Sequence, residues 1–204
     1  IEARAKEVKE ALPLPMALVL FLELFFHDRA VNAPCTAVFV GWILCLIFAS
    51  LRFNDGVHVK PSSLEVVDGV LFGLCWQTKV ERKRRGTKFA VAPVGMLPAD
   101  STDAEGSVRR PWLEIFLELF AVHAGGDRDF WMFEMVALDR FGDGPITYHR
   151  GMRVLRAVLS DAVVSFAPAD KKQEYFEIVS KVTWHSLRVT LLNSAVHAGV
   201  DALP

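Results

Sequence analysis

The sequence predicts a mainly helical α+β domain, and three observations carry that prediction. Two intensely apolar runs, Leu12 to Phe26 and Thr36 to Leu51, have the length and composition of buried helices. Further on, apolar residues recur at helical spacing from Trp112 to Ala124, from Ile146 to Phe166 and from Thr183 to Gly199. Between these sets, Leu64 to Thr78 and Thr87 to Val94 alternate apolar with polar residues, which predicts a small antiparallel sheet of two or three strands. At 204 residues, 52% of them hydrophobic, the chain can bury a substantial core as one domain, or as one domain with a small lobe.

Taken in order, residues 1–33 read as an N-terminal helical segment of the same domain or as the end of a linker, with Ile1 to Ala11 polar and a buried helix to about His27. A break is expected across Asp28 to Pro34, and residues 34–204 form the main domain. Its first helix, from about Cys35 to Ser50, delivers Arg52 into a short connecting segment. Asp68-Gly69 marks a turn inside the sheet, and the link between the last two strands is basic. Gly95 to Pro111 collects Pro, Asp, Ser, Gly and Arg without periodicity and reads as a surface loop, with Pro111 opening the helix from Trp112. Phe141 to Pro145 reads as a turn before a helix that buries Met152, Leu155, Leu159, Ala162, Val163 and Phe166. In the last helix Thr183 is the expected N-cap, Gly199 the C′ residue, and Leu187, Leu191 and Ala195 the buried stripe.

Each apolar run is about 15 residues, short of the ~20 that span a bilayer, and the first contains Pro13, Pro15 and Glu23. Both are therefore expected as buried helices, with no membrane partner. Cys35, Cys45 and Cys75 match no zinc spacing and read as reduced core residues, which fits an intracellular protein. Twenty-three Lys and Arg against 24 Asp and Glu leave a formal charge of −1, so any polyanion must be met by concentrated positive charge.

Such a concentration exists. Lys79, Arg82, Lys83, Arg84, Arg85 and Lys88 face a single acid, Glu81, in a stretch expected at a hairpin tip, where they can reach a phosphate backbone; a solvated turn or a nuclear-localisation signal reads the same way. Arg150, Arg153 and Arg156 form a helical row that reads as a solvated face before it reads as a DNA contact. His185 and Arg188 are i, i+3 neighbours in the first turns of the last helix, where backbone N–H groups and the helix dipole favour an anion and arginine adds a fork of donors. His27 and His123 follow apolar helical runs and are expected at helix ends, His58, His149 and His197 lack partners at ligand spacing, and no metal or cofactor is expected. There is no glycine-rich phosphate loop, no nucleophile elbow and no two-metal carboxylate cluster.

The order Leu51-Arg52-Phe53-Asn54-Asp55, then Thr78-Lys79 in a hairpin, then His185-Ser186-Leu187-Arg188 resembles the catalytic domain of the tyrosine recombinases, the phage-type integrases, over roughly Pro34 to Asp201. The resemblance implies DNA cleavage and rejoining through a covalent 3′-phosphotyrosyl link, without metal or cofactor. It implies catalytic roles for Arg52, Lys79, His185 and Arg188, with Asp55 supporting Arg52, and DNA contact from Arg82, Lys83, Arg84, Arg85 and Lys88. The two guanidiniums would stabilise the phosphorane, the histidine would position phosphate or move a proton, and the lysine would protonate the departing 5′ oxygen. The implied partners are double-stranded DNA and other copies of the chain assembled on it, in the nucleus or cytoplasm with chromosomal DNA. The family's nucleophilic tyrosine follows the second arginine. Tyr148 and Tyr175 both precede His185, and the chain starts at Ile1, so the expectation is a piece of a longer protein whose tyrosine lies beyond residue 204. The alternatives are a degenerate DNA-binding relative without cleavage, and a membrane-associated helical protein in which the motif order is accidental.

Overall fold

A computed structural model of the chain describes residues 11–77, 86–98, 101–102, 106–137 and 139–197, with the backbone alone for 195–197. Among these are seven α-helices and two small antiparallel sheets, so the mainly helical α+β class is correct. The helices are α1 (Met16–Asn32), α2 (Pro34–Phe48), α3 (Phe53–Val57), α4 (Trp112–His123), α5 (Tyr148–Phe166), α6 (Lys172–Lys181) and α7 (Trp184–His197). One sheet joins β1 (Glu65–Val67), β2 (Val70–Cys75) and β3 (Thr87–Val91); the other pairs β4 (Phe133–Ala137) with β5 (Arg140–Pro145).

The core is built around α2. Its sequence is apolar on every side, and every residue from Thr36 to Ile47 is buried, because α1, α4 and α7 pack around it. Gly41 lets α4 approach closely: a Cβ there would collide with the Phe116 ring of α4. No helix among the described residues is long and apolar enough to cross a membrane.

Helix ends explain how Arg52 is presented. The N–H groups of Ser50 and Leu51 donate back to the carbonyls of Ile47 and Leu46, at 3.1 and 2.9 Å, with Ser50 left-handed at φ 50°. That double bond closes α2 as a Schellman turn and throws the chain directly into α3. The segment expected to be a plain connection is thus a short helix, with Arg52 at its N-cap. Gly56 lets α3 lie on α2, since a Cβ there would meet Leu46.

Other expectations shift in detail. The break expected over Asp28 to Pro34 narrows to Ala33, because α1 runs on to Asn32 and Pro34 starts α2 at once. Pro34 disfavours helical geometry only at the residue before it, so one residue suffices to turn the chain. Phe141 to Pro145 is a strand, not a turn: Asp139 takes the left-handed conformation at φ 53° and the chain folds β5 back on β4, leaving α5 to begin at Tyr148. Asp68 and Gly69 both have positive φ, 51° and 78°, and close β1 onto β2 as a two-residue hairpin, as their identities predict. α6 carried no expectation, and the buried stripe of α5 uses Gly151 and Val158 while Met152 and Phe166 are only half-buried.

Candidate functional site

Arg52 and His185 come from opposite ends of the domain sequence, yet both line one cleft of about 340 Å³, together with Phe53, Asn54, Tyr148 and Trp184. An aromatic cluster holds these three chain segments together. Trp184, buried at the start of α7, lies 4.6 Å from the Phe53 ring of α3 and 5.6 Å from Trp42 of α2. Its indole N–H donates to the Tyr148 carbonyl at 3.2 Å, and the Phe53 and Tyr148 rings meet edge to face at 5.5 Å. Burying such rings against one another supplies both area and preferred geometry, so the first residues of α3, α5 and α7 are fixed relative to one another.

The α7 N-terminus is capped as its sequence predicts. Thr183 Oγ1 accepts from the Ser186 N–H at 3.3 Å, while Ser186 Oγ accepts from the Thr183 N–H at 3.1 Å, a reciprocal capping box with serine in the usual glutamate place. One turn on, buried Thr190 donates to the Ser186 carbonyl at 2.7 Å and accepts from the Leu14 N–H at 3.0 Å, which ties α7 to the chain entering α1. Leu187 is fully buried and Leu191 half-buried; the Ala195 side chain and Gly199 lie outside the described residues. This leaves His185 exposed at the cleft mouth.

Asp55 sits beside Arg52, with Oδ2 3.6 Å from Nη1. Asp55 as a whole residue is 8% exposed, and its other carboxylate oxygen is buried with no hydrogen-bond partner among the described residues. Arg188 is half-exposed on α7, outside the residues that line the cleft, and neither it nor His185 makes a hydrogen bond or ion pair with the described residues. Lys88 is exposed on β3. Lys79, Arg82, Lys83, Arg84 and Arg85 lie outside the described residues.

Sequence reasoning missed the cleft's aromatic members. Tyr148 precedes His185 and so does not fit the family's nucleophile position, and nothing in its local sequence links it to Arg52. The arginine row of α5 is also more engaged than a solvated face: Arg150 bonds Glu134 at 2.7 Å, and Arg156 donates twice to the Val182 carbonyl just before α7. Arg153 alone of the three has no described partner. Cys45 and Cys75 are buried, and desolvation pushes the Cys75 thiol up to about 12, with Asp55 adding to the effect; Cys35 is half-buried rather than a core residue. Among the described residues no group of three or more His, Cys, Asp or Glu could hold a metal ion.

A second cleft of about 500 Å³ lies between α1 and the loop before α4, lined in part by Glu23, His27, Arg109 and Trp112. Glu23 is almost fully buried and accepts the Met96 N–H, so it pins that loop to α1; desolvation raises its carboxyl above the usual range. His27, expected at a helix end, stands inside α1, where burial and then the Arg109 charge lower its imidazole to about 4. A third cleft, about 540 Å³ and partly apolar, lies between β4 and α5. Compared with protein-family models, curated proteins and solved structures, the chain matches none.

Proposed function

We propose that this chain binds the DNA phosphodiester backbone and belongs to the phosphoryl-transfer machinery of a tyrosine-type recombinase or integrase. The observation that carries the reading is the meeting of Arg52, with Asp55 beside it, and His185 in one open cleft, although α3 and α7 are separated by most of the chain. An exposed guanidinium and an exposed imidazole, the latter at the capped N-terminus of a 14-residue helix, make a suitable anion site. Arg188, half-exposed on α7 without a described partner, would have to turn toward the same anion to join the site.

In this reading Arg52 holds a nonbridging phosphate oxygen, Asp55 limits the rotamers of Arg52, and His185 hydrogen-bonds the phosphate or passes a proton. Arg188 adds the second guanidinium, Lys79 protonates the leaving 5′ oxygen, and the basic run from Arg82 to Arg85 with Lys88 grips the flanking backbone. Neither Tyr148 nor Tyr175 occupies the nucleophile's place in the family order, so the attacking tyrosine would follow Arg188. Assembly of several copies on DNA belongs to the same proposal.

The test is fluorescence anisotropy of a labelled duplex across a salt series. The expected result is binding whose logarithm falls linearly with log salt, weakened about 10-fold or more by Arg52→Ala and by Arg188→Ala. A salt-insensitive interaction, or full affinity in both variants, would refute phosphate binding at this cleft. Covalent capture on a nicked suicide substrate, using a form that carries a tyrosine downstream of Arg188, separates a recombinase from a binding relative that no longer cleaves.

A further inference from the structure

The cleft that holds Arg52 and His185 has an aromatic wall for which phosphate binding alone has no use. Tyr148, the first residue of α5, is 48% exposed, more than any Phe, Trp or other Tyr among the described residues. It is nonetheless held in place, through its carbonyl by Trp184 and along its ring by Phe53. Its two described ring neighbours, Phe53 and His149, stand at 79° and 77° to it, so no described ring lies flat against it. Its hydroxyl has no described partner. Phe53 and Trp184 extend the apolar floor, while Arg52, Asn54 and His185 supply polar groups around it.

A flat unstacked aromatic face, an amide and a guanidinium around one small cleft match the parts of a single nucleotide. The base would lie on the ring, the amide would meet the base edge, and the guanidinium would take the phosphate. We propose that the cleft receives an unstacked nucleobase beside the phosphate bound by Arg52, with Tyr148 as the stacking platform. A base inside an intact duplex cannot offer its face, so the ligand is a single-stranded, nicked or extruded nucleotide of DNA. This inference rests on the phosphodiester reading, and it gives Tyr148 a role as a ring rather than as a nucleophile.

The experiment compares a short single-stranded DNA carrying 2-aminopurine at its centre with the same strand carrying an abasic site there. Wild-type protein should bind the intact strand roughly 5- to 150-fold more tightly than the abasic one, and should quench the 2-aminopurine fluorescence. Tyr148→Phe keeps the ring and should keep both effects. Tyr148→Leu should lower intact-strand affinity to the abasic level and abolish the quench, while Arg52→Ala should weaken both strands alike. Equal affinity for the two strands in wild type, or loss of the base effect in Tyr148→Phe, would overturn the stacking role and leave phosphodiester binding standing. Failure of the wild type to bind duplex, intact or abasic strands would overturn both readings. Should Tyr148→Leu fail to fold, the abasic contrast and the Tyr148→Phe variant decide the matter alone.

Discussion

Replacing Asp55 by Asn separates what that carboxylate does for the fold from what it does for Arg52. The pair is 3.6 Å apart and the Arg52 side chain is 39% exposed, so the attraction contributes about 0–1 kcal/mol net. Against it stands the buried Asp55 oxygen without a partner, a desolvation cost of about 1–3 kcal/mol. The cost equals or exceeds the gain. An isosteric amide removes the charge and keeps the shape but still buries a polar atom without a partner, so Asp55→Asn should leave stability within about 1 kcal/mol of wild type. Arg52 would then lack the anion that limits its rotamers. Under the proposed reading, duplex affinity should hold or rise slightly, since one acid is gone, while phosphoryl transfer in a form that carries a tyrosine downstream of Arg188 should fall about 10- to 100-fold, as expected for a displaced cation at the phosphate. Urea denaturation followed by circular dichroism gives the first quantity, and adduct formation on a suicide substrate gives the second. Destabilisation above about 2 kcal/mol would show that the carboxylate is a structural clamp and refute the reasoning. An unchanged adduct rate would show that Arg52 needs no companion.

Trp184→Ala should cost about 3–5 kcal/mol, because a buried indole that joins α2, α3 and α5 leaves a cavity; thermal melts check this, and a loss below about 1 kcal/mol would mean the cluster does not hold the cleft together. His27 is lowered to about 4 in the fold from 6.5, so the fold prefers the neutral ring, and its contribution is complete above about pH 6.5 and lost as pH falls toward 4. That loss is at most about 3 kcal/mol and nearer 1–2 once solvent screening of the half-buried ring is allowed for. Glu23 works in the opposite sense, its raised carboxyl favouring the fold at low pH, so His27→Asn should flatten the acid-side decline in stability or reverse it, as read by urea midpoints from pH 4 to 7. Changing Arg82, Lys83, Arg84 and Arg85 together to Ala should reduce the log–log salt slope of duplex binding by about 2–4 units; an unchanged slope would exclude this run as a contact surface.

The local features of this protein follow from short stretches of residues. Uniformly apolar composition made α2 a buried helix, Thr183 capped α7, Asp68-Gly69 closed a hairpin and Pro111 opened α4, because each depends on residues within a turn or two. Such stretches also place Arg52 at the end of α2 and His185 in the first turn of α7. That these two share a cleft follows from long-range packing alone, because their proximity depends on Trp42, Phe53 and Trp184 meeting across three helices. Tyr148 entered the cleft for the same reason: its position depends on an indole N–H from α7, which no pattern around residue 148 encodes. Phe141 to Pro145 reads as a turn because Gly142, Gly144 and Pro145 carry turn chemistry, while its pairing as β5 is irregular and depends on the strand opposite. Local propensity acts over a few residues, whereas a site assembled from distant segments exists only once burial has fixed which helix faces meet.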